Sequence, residues 1–213
     1  MNRFLERNVI QDIIDALKAK VYLEIGVRHG DCIFPLNCRH KWGVDPNPHI
    51  CEEYKIYYYD RWLRIKFFIQ SSADFFCRQK SFLKKNPIDV AFVNGVYAYK
   101  QSYLDVLSTL PYLSDKGVII LNECLPRWVP ASTPDVWKTV LRLRAEHEHL
   151  DLSVINVGSG LGIIQQKPRT VPLALDTMDI EAMTYQQMVL QKESLLNLKS
   201  ETEFRDLLRG IPF

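Results

Sequence analysis

Short, almost wholly apolar runs alternate along the chain with stretches in which apolar residues return every third or fourth position. Val9, Ile10, Ile13, Ile14 and Leu17 keep that second spacing, which predicts an amphipathic helix over the first twenty residues. The runs KVYLEIGV, HKWGVDPNP, IKFFIQ, IDVAFVN and GVIILNE are of strand length. Between them, HGDCIFPLN reads as a turn into a helix start, and SADFFCRQKSFLKK and YKQSYLDVLSTLPYL read as helices. Strands that are apolar on both faces and alternate with helices predict a parallel sheet covered on both sides. After the helical stretch DVWKTVLRLRAEH the pattern changes, because LSVINV and LGIIQQ are separated only by Gly158, Ser159 and Gly160. So short a link cannot cross over the sheet, and an antiparallel hairpin follows. From Pro172 to Phe213 the chain is rich in Leu, Met and charge, and two short helices packed on the body are expected there.

Composition narrows the function classes. With 213 residues, 47% of them hydrophobic, the chain can bury a full core in one domain. Lys and Arg number 27 against 25 Asp and Glu, a formal charge of +2. No strong field is available to hold nucleic acid or an anionic membrane, so the expected partner is a small molecule or another protein. The stretch YYYDRWLRIKFF interleaves aromatic and basic residues as a stacking platform for single strands would, but the balanced charge argues for packing instead. The cysteines at 32, 38, 51, 77 and 124 form no C-x-x-C pair, and the histidines at 29, 40, 49, 147 and 149 show no ligand spacing. His147 and His149, two apart on a helix, are expected to face different ways. Reduced thiols, a charged N-terminal stretch and the lack of a long apolar run predict a soluble, cytoplasmic protein.

The candidate chemistry gathers where strands end. LEIGVRHGD places Glu24, Gly26 and Gly30 after the first strand, at the edge where open α/β sheets bind ligands. The third glycine of a dinucleotide fingerprint is missing, so a plain tight turn remains an equal reading. Asp45 ends the second strand, 19 residues after Gly26, where a carboxylate accepts ribose hydroxyls. Ser72, Ala73 and Asp74 follow the third strand; Ser72 reads either as an adenine-side contact or as the cap of the next helix. The fourth and fifth strands each stop on an asparagine, Asn94 and Asn122, with Tyr97 and Glu123 just beyond.

Taken in order, YLEIGVRHGD, GVDPNP, QSSADFF, FVNGVYAYKQSYLDVL, LSDKGVIILNECLP, DVWKTVLRLR and GLGII resemble class I S-adenosylmethionine-dependent methyltransferases. The nearest group is similar to small bacterial enzymes whose strand ends read FIDGLHTYE and VLHDCLP. The resemblance implies a Rossmann-like three-layer α/β sandwich: a seven-stranded, mostly parallel sheet with an antiparallel C-terminal hairpin strand. It implies a methyltransferase-like domain over 1–170, including the N-terminal helix, and a helical extension over 171–213 packed on it. Carried over, Glu24, Gly26 and Gly30 shape the methionine pocket of S-adenosylmethionine, Asp45 holds its ribose, Ser72 and Ala73 border its adenine, and Asn94 meets its methionine end. Glu123, Asn122 and Tyr97 then become the catalytic set. Asn94, Tyr97, Asn122 and Glu123 stand where the family usually has Asp, His, His and Asp, so no metal is expected and Glu123 is the one strand-end carboxylate left.

These residues lead to an S-adenosylmethionine-dependent methyltransferase acting on a small-molecule hydroxyl or amine, metal-independent, with no nucleic-acid or membrane partner. A catalytically silent domain that binds S-adenosylmethionine or a protein is the second reading, and a dinucleotide or nucleotide-sugar enzyme is the third. Acceptor choice is assigned to the first helix, the loop Trp128 to Pro134 and the C-terminal helices. The apolar faces of the first and last helices suit a homodimer as well as a core.

Overall fold

The apolar runs pair into a single mixed sheet, the first five of them forming its main parallel part. A computed structural model describes residues 3–126, 134–169 and 171–209. Helix α1 (Arg3–Leu17) leads into β1 (Val21–Ile25) and β2 (His40–Val44), and α2 (Glu52–Tyr57) and α3 (Tyr59–Trp62) lead to β3 (Ile65–Phe68). Then come α4 (Ser72–Arg78), α5 (Lys80–Lys85), β4 (Ile88–Val93), α6 (Tyr99–Thr109), β5 (Leu113–Leu121), α7 (Val136–Glu146) and the hairpin β6 (Leu150–Ile155) and β7 (Leu161–Gln166). The C-terminal extension adds α8 (Thr177–Ala182), α9 (Tyr185–Leu190), α10 (Lys192–Leu195), β8 (Leu198–Lys199) and α11 (Glu201–Arg209). The spatial order is β3-β2-β1-β4-β5-β7-β6-β8. The order reverses between β1 and β4, and a crevice opens beyond the carboxyl ends at such a switch point.

The hairpin forms as its Gly-rich link predicts, with β7 antiparallel to both β5 and β6. Four expectations need correction. The sheet has eight strands rather than seven, because residues 198–199 pair parallel with β6. Among its described residues the extension contains four short helices rather than two. The stretch SADFFCRQKSFLKK breaks at Gln79 into α4 and α5. No helix forms between β1 and β2: Pro35 has no N–H to continue one, and isolated turn bonds appear instead, Gly30 N to Val27 O (2.9 Å), Phe34 N to Gly30 O (3.2 Å) and Leu36 N to Cys32 O (3.4 Å). The carbonyls left over are taken by Lys41 on β2, which is 1% exposed. Its ammonium donates to Ile33 O at 2.6 Å, Leu36 O at 3.0 Å and Phe34 O at 3.1 Å.

The period of two in each strand divides the core. Leu23, Ile25, Ala91, Val93, Ile119 and Leu121 pack against α4 to α7 and the extension, whose Ile180, Met188 and Leu196 join the same cluster. Tyr22, Val90, Phe92 and Ile120 pack against Ile10, Ile13 and Ile14 of α1, with Phe34 and, from α11, Phe204. Arg205 of α11 also bonds Asp12 of α1 at 2.6 Å. Not all of YYYDRWLRIKFF packs as expected. Tyr58 lies near Phe34, whereas Tyr57 and Tyr59 are exposed.

Candidate functional site

Four site residues occupy one level of the sheet because the ladder continues one rung past the strands. Gly26 N donates to Val44 O (2.8 Å), Asp45 N to Phe68 O (3.2 Å), Asn94 N to Ile25 O (2.8 Å) and Asn122 N to Val93 O (3.1 Å). Gly26, Asp45, Asn94 and Asn122 are thereby held by backbone in a row along the switch-point edge.

At the β1 end the glycines answer to the chain itself. Gly26 has φ +85°, and a Cβ there would fall on the backbone carbonyl of Asn94 and the Cα of Gly95. A side chain at this position therefore meets the β4 turn itself. Asp45 is 8% exposed, and its carboxylate accepts from Arg28 N at 2.9 Å and Asn47 N at 2.8 Å, which ties the end of β2 to the turn after β1. Glu24 is 1% exposed and accepts from the Tyr22 hydroxyl at 2.8 Å. Desolvation pushes its carboxyl up to about 8, against the opposing pull of the Tyr22 bond and the Lys41 charge.

At the β4 and β5 ends the two asparagines meet. Asn122 Nδ2 donates to Asn94 Oδ1 at 2.8 Å, and the same oxygen accepts from the Tyr97 hydroxyl at 3.3 Å. Arg28 Nη1 reaches that hydroxyl at 3.3 Å. Burial raises the Tyr97 pKa, with the Arg28 charge opposing. Asn122 is 5% exposed, and its Oδ1 has no hydrogen-bond partner among the described residues. Glu123 takes φ +61°, a left-handed conformation costing a non-glycine residue about 1–2 kcal/mol. The strain is held in place by Cys124 N donating to Gly160 O and Leu125 N to Ser159 O. Strain of this kind at a strand end is a pointer to function.

These groups share a cleft of about 130 Å³ lined by Glu24, Arg28, Asn94, Tyr97, Asn122 and Glu123. The sequence reading missed a further wall, Glu6 of α1, which is 5% exposed. The signal was present: position 6 belongs to the stripe 6, 10, 13 and 17, so a carboxyl stood on the helix face assigned to the core. Desolvation raises the Glu123 pKa, the nearby Glu6 raises it further, and a bond from Ser159 opposes them. Asp31 and His29 also reach the cleft. Among the described residues no three His, Cys, Asp or Glu side chains converge as metal ligands.

Ser72 and Ala73 lie outside this cleft. The cap of α4 is Ser71, whose hydroxyl accepts from Asp74 N at 3.1 Å, so Ser72 does not have the capping role weighed for it. Ser72 instead donates to Asp105 of α6 at 2.6 Å, and Ala73 borders a shallow groove beside Gln101 and Asp105. Gly30, at φ +86°, packs against the Phe34 ring. His147 and His149 follow α7 rather than lying on it, and their rings approach to 5.5 Å. Residues 127–133, most of the loop expected to choose the acceptor, lie outside the described residues. No described helix is long and apolar enough to cross a membrane.

No protein-family model and no curated protein matches the chain. Its fold, in contrast, is shared with solved structures. Cofactor-bound Rv0187 from MTB superposes with a TM-score of 0.60 at 16% identity, over 77% of this chain and 80% of that one. A putative caffeoyl-CoA O-methyltransferase from Staphylococcus aureus gives 0.60 at 16%, over 76% and 82%. The O-methyltransferase TomG from Streptomyces achromogenes, solved with SAM, gives 0.57 at 13%, over 76% and 79%. At such identities the likeness establishes a shared Rossmann-like α/β fold.

Proposed function

We propose that this chain is an S-adenosylmethionine-dependent methyltransferase acting on a small-molecule hydroxyl or amine without a metal. The observation that carries the reading is the row of Gly26, Asp45, Asn94 and Asn122 at the switch point, ending in a buried amide oxygen with no donor. TomG, of the same fold, was solved with SAM at 13% identity, which supports the choice of cofactor.

The residues fit that cofactor. The Glu24 carboxyl lines the cleft and suits the amino-acid ammonium of the cofactor, while the orphaned Asn122 Oδ1 is left for the acceptor. Asp45 keeps acceptor capacity beyond its two backbone bonds, suited to ribose hydroxyls. When bound, S-adenosylmethionine supplies a methyl group already activated on sulfur, so the protein's task is positioning. Asn94 orients the methionine end, Tyr97 and Asn122 orient the acceptor, and Glu123 takes its proton. Asn94 and Asn122 are neutral amides bonded to each other, which supports a reading without magnesium, with Glu123 the carboxylate beside them. Ser72 and Ala73 keep an adenine-side role in this reading through backbone alone.

Calorimetric titration tests it. S-adenosylmethionine and S-adenosylhomocysteine should bind and NAD should not, and Asp45→Ala should lower cofactor affinity roughly ten- to a hundredfold. Failure of both sulfur ligands to bind would overturn the reading. Transfer that survives excess chelator supports metal independence, and loss restored by magnesium refutes it.

A further inference from the structure

We propose that the acceptor taken by this cleft is an amine, held as its ammonium ion between Glu6 and Glu123 with Asn122 Oδ1 as third acceptor. This rests on the methyltransferase reading and deepens it.

Two elements far apart in the chain bring the carboxyls to one wall. Glu6 arrives on the core-facing stripe of α1, where an apolar residue would cost nothing and a carboxyl must be desolvated. Room is made for it: a Cβ on Gly158, at φ +58°, would fall on the Glu6 carboxyl. Glu123 arrives in a left-handed conformation beyond β5 and is 6% exposed. Each group raises the electrostatic cost of ionising the other, and a cation between them removes it. Asp31 adds to the same sign, Glu24 keeps its proton near neutral pH, and Arg28 opposes them but is directed at the Tyr97 hydroxyl.

The independent observation is the unpartnered Asn122 Oδ1, 5% exposed and in the same cleft. Carboxylate and amide oxygens only accept hydrogen bonds. A ligand that meets three of them needs three donors, which an ammonium has and a hydroxyl does not. A phenolate would face carboxyls of its own sign. The acids do not converge as metal ligands among the described residues, so the cation is an organic one. To become nucleophilic the nitrogen must lose one proton: an N–H bond breaks, its electron pair stays on nitrogen, and the proton passes to a Glu123 carboxylate oxygen. Burial and Glu6 raise the Glu123 pKa, which brings it closer to the amine's and eases the transfer.

The test is binding rather than turnover. Protein is first titrated with S-adenosylhomocysteine, then the saturated protein with benzylamine and with benzyl alcohol, which match in shape. The amine should bind roughly ten- to a hundredfold more tightly, the worth of hydrogen bonds to charged groups. Glu6→Gln and Glu123→Gln should each remove most of that preference while S-adenosylhomocysteine still binds. Equal binding of the two probes, tighter binding of the alcohol or no binding of either overturns the proposal. So does loss of S-adenosylhomocysteine affinity in the glutamine variants, which would assign the carboxyls to the cofactor. Failure of S-adenosylhomocysteine to bind the wild type defeats the methyltransferase reading instead. The amine and alcohol titrations of the unliganded wild type then still decide whether the cleft selects ammonium, whatever the folding of the variants.

Discussion

The β1–β2 end of the crevice and the β4–β5 end are built from the same rung of the same ladder, yet they spend their polar groups differently. At the first, Asp45 is occupied by two backbone N–H groups, Lys41 by three carbonyls, and Gly26 by close approach of the β4 turn. At the second, two amides bond each other, one amide oxygen is left without a donor, and Glu123 is held in a strained conformation. Polar chemistry at one end is largely satisfied by the fold; at the other an acceptor and a strained carboxylate are left over. Substitutions at the first end should therefore be read in stability, with Asp45 adding an effect on cofactor affinity, and those at the second in binding.

The largest effect should come from Gly26→Ala, which combines positive φ with collision against backbone that has nowhere to move. A loss of about 3–5 kcal/mol is expected in urea unfolding. A wild-type midpoint would show that the turn yields, and the contrast between the two ends would lose its firmest support. Next is Lys41→Met, which keeps the stem but orphans the carbonyls of Ile33, Phe34 and Leu36. About 3 kcal/mol should be lost, with faster amide exchange confined first to residues 27–39.

Glu24 gives a smaller effect with a definite sign. Its carboxyl is raised from an ordinary 4.5 to about 8, so between those values the folded state keeps a proton that the unfolded chain releases. This contribution to stability is whole below pH 4.5, falls as pH rises, and is gone above about 8. Glu24→Gln should flatten the decline, on the order of a few kcal/mol across the window, when unfolding is compared at pH 5 and pH 8. An equal slope in wild type and variant would place the titration elsewhere. The smallest stability effect is expected for Asn122→Leu, which removes an unsatisfied acceptor along with one hydrogen bond. The change should stay within about 1 kcal/mol, while benzylamine binding to the S-adenosylhomocysteine complex is lost. A large destabilisation would mean that the amide belongs to the fold after all.

Much of this was written in the periodicity of the chain. Continuous apolar runs gave the parallel strands, and three residues from Gly158 to Gly160 forced the hairpin. The strand-end residues Gly26, Asp45, Asn94 and Asn122 were legible because a strand's last residue and a sheet's ligand edge coincide. What the pattern concealed depended on contacts between distant segments. HGDCIFPLN begins like a helix, and nothing local reveals that a lysine on the next strand satisfies its carbonyls. Ser71 and Ser72 are equivalent as caps until Asp105, 33 residues later, takes one of them. Two residues, Leu198 and Lys199, are too few for any strand signal, so the eighth strand had no period to betray it. Glu6 could have been found, since a carboxyl inside an apolar stripe is a local conflict of the kind that accompanies function.

The bond between Arg205 and Asp12 joins positions 193 apart in the chain. Translated into the order of synthesis, this means that the helix bearing Glu6 is made well before the segment that completes its cover. The sheet can close on β1 to β5 while α1 still lacks Phe204 and Arg205, and 193 positions separate the bonded Asp12 from Arg205. A chain emerging from the ribosome would thus possess its glycine turn and its asparagine pair before the helix that brings Glu6 to the same cleft was fastened, so completion of the cleft would await the arrival of α11.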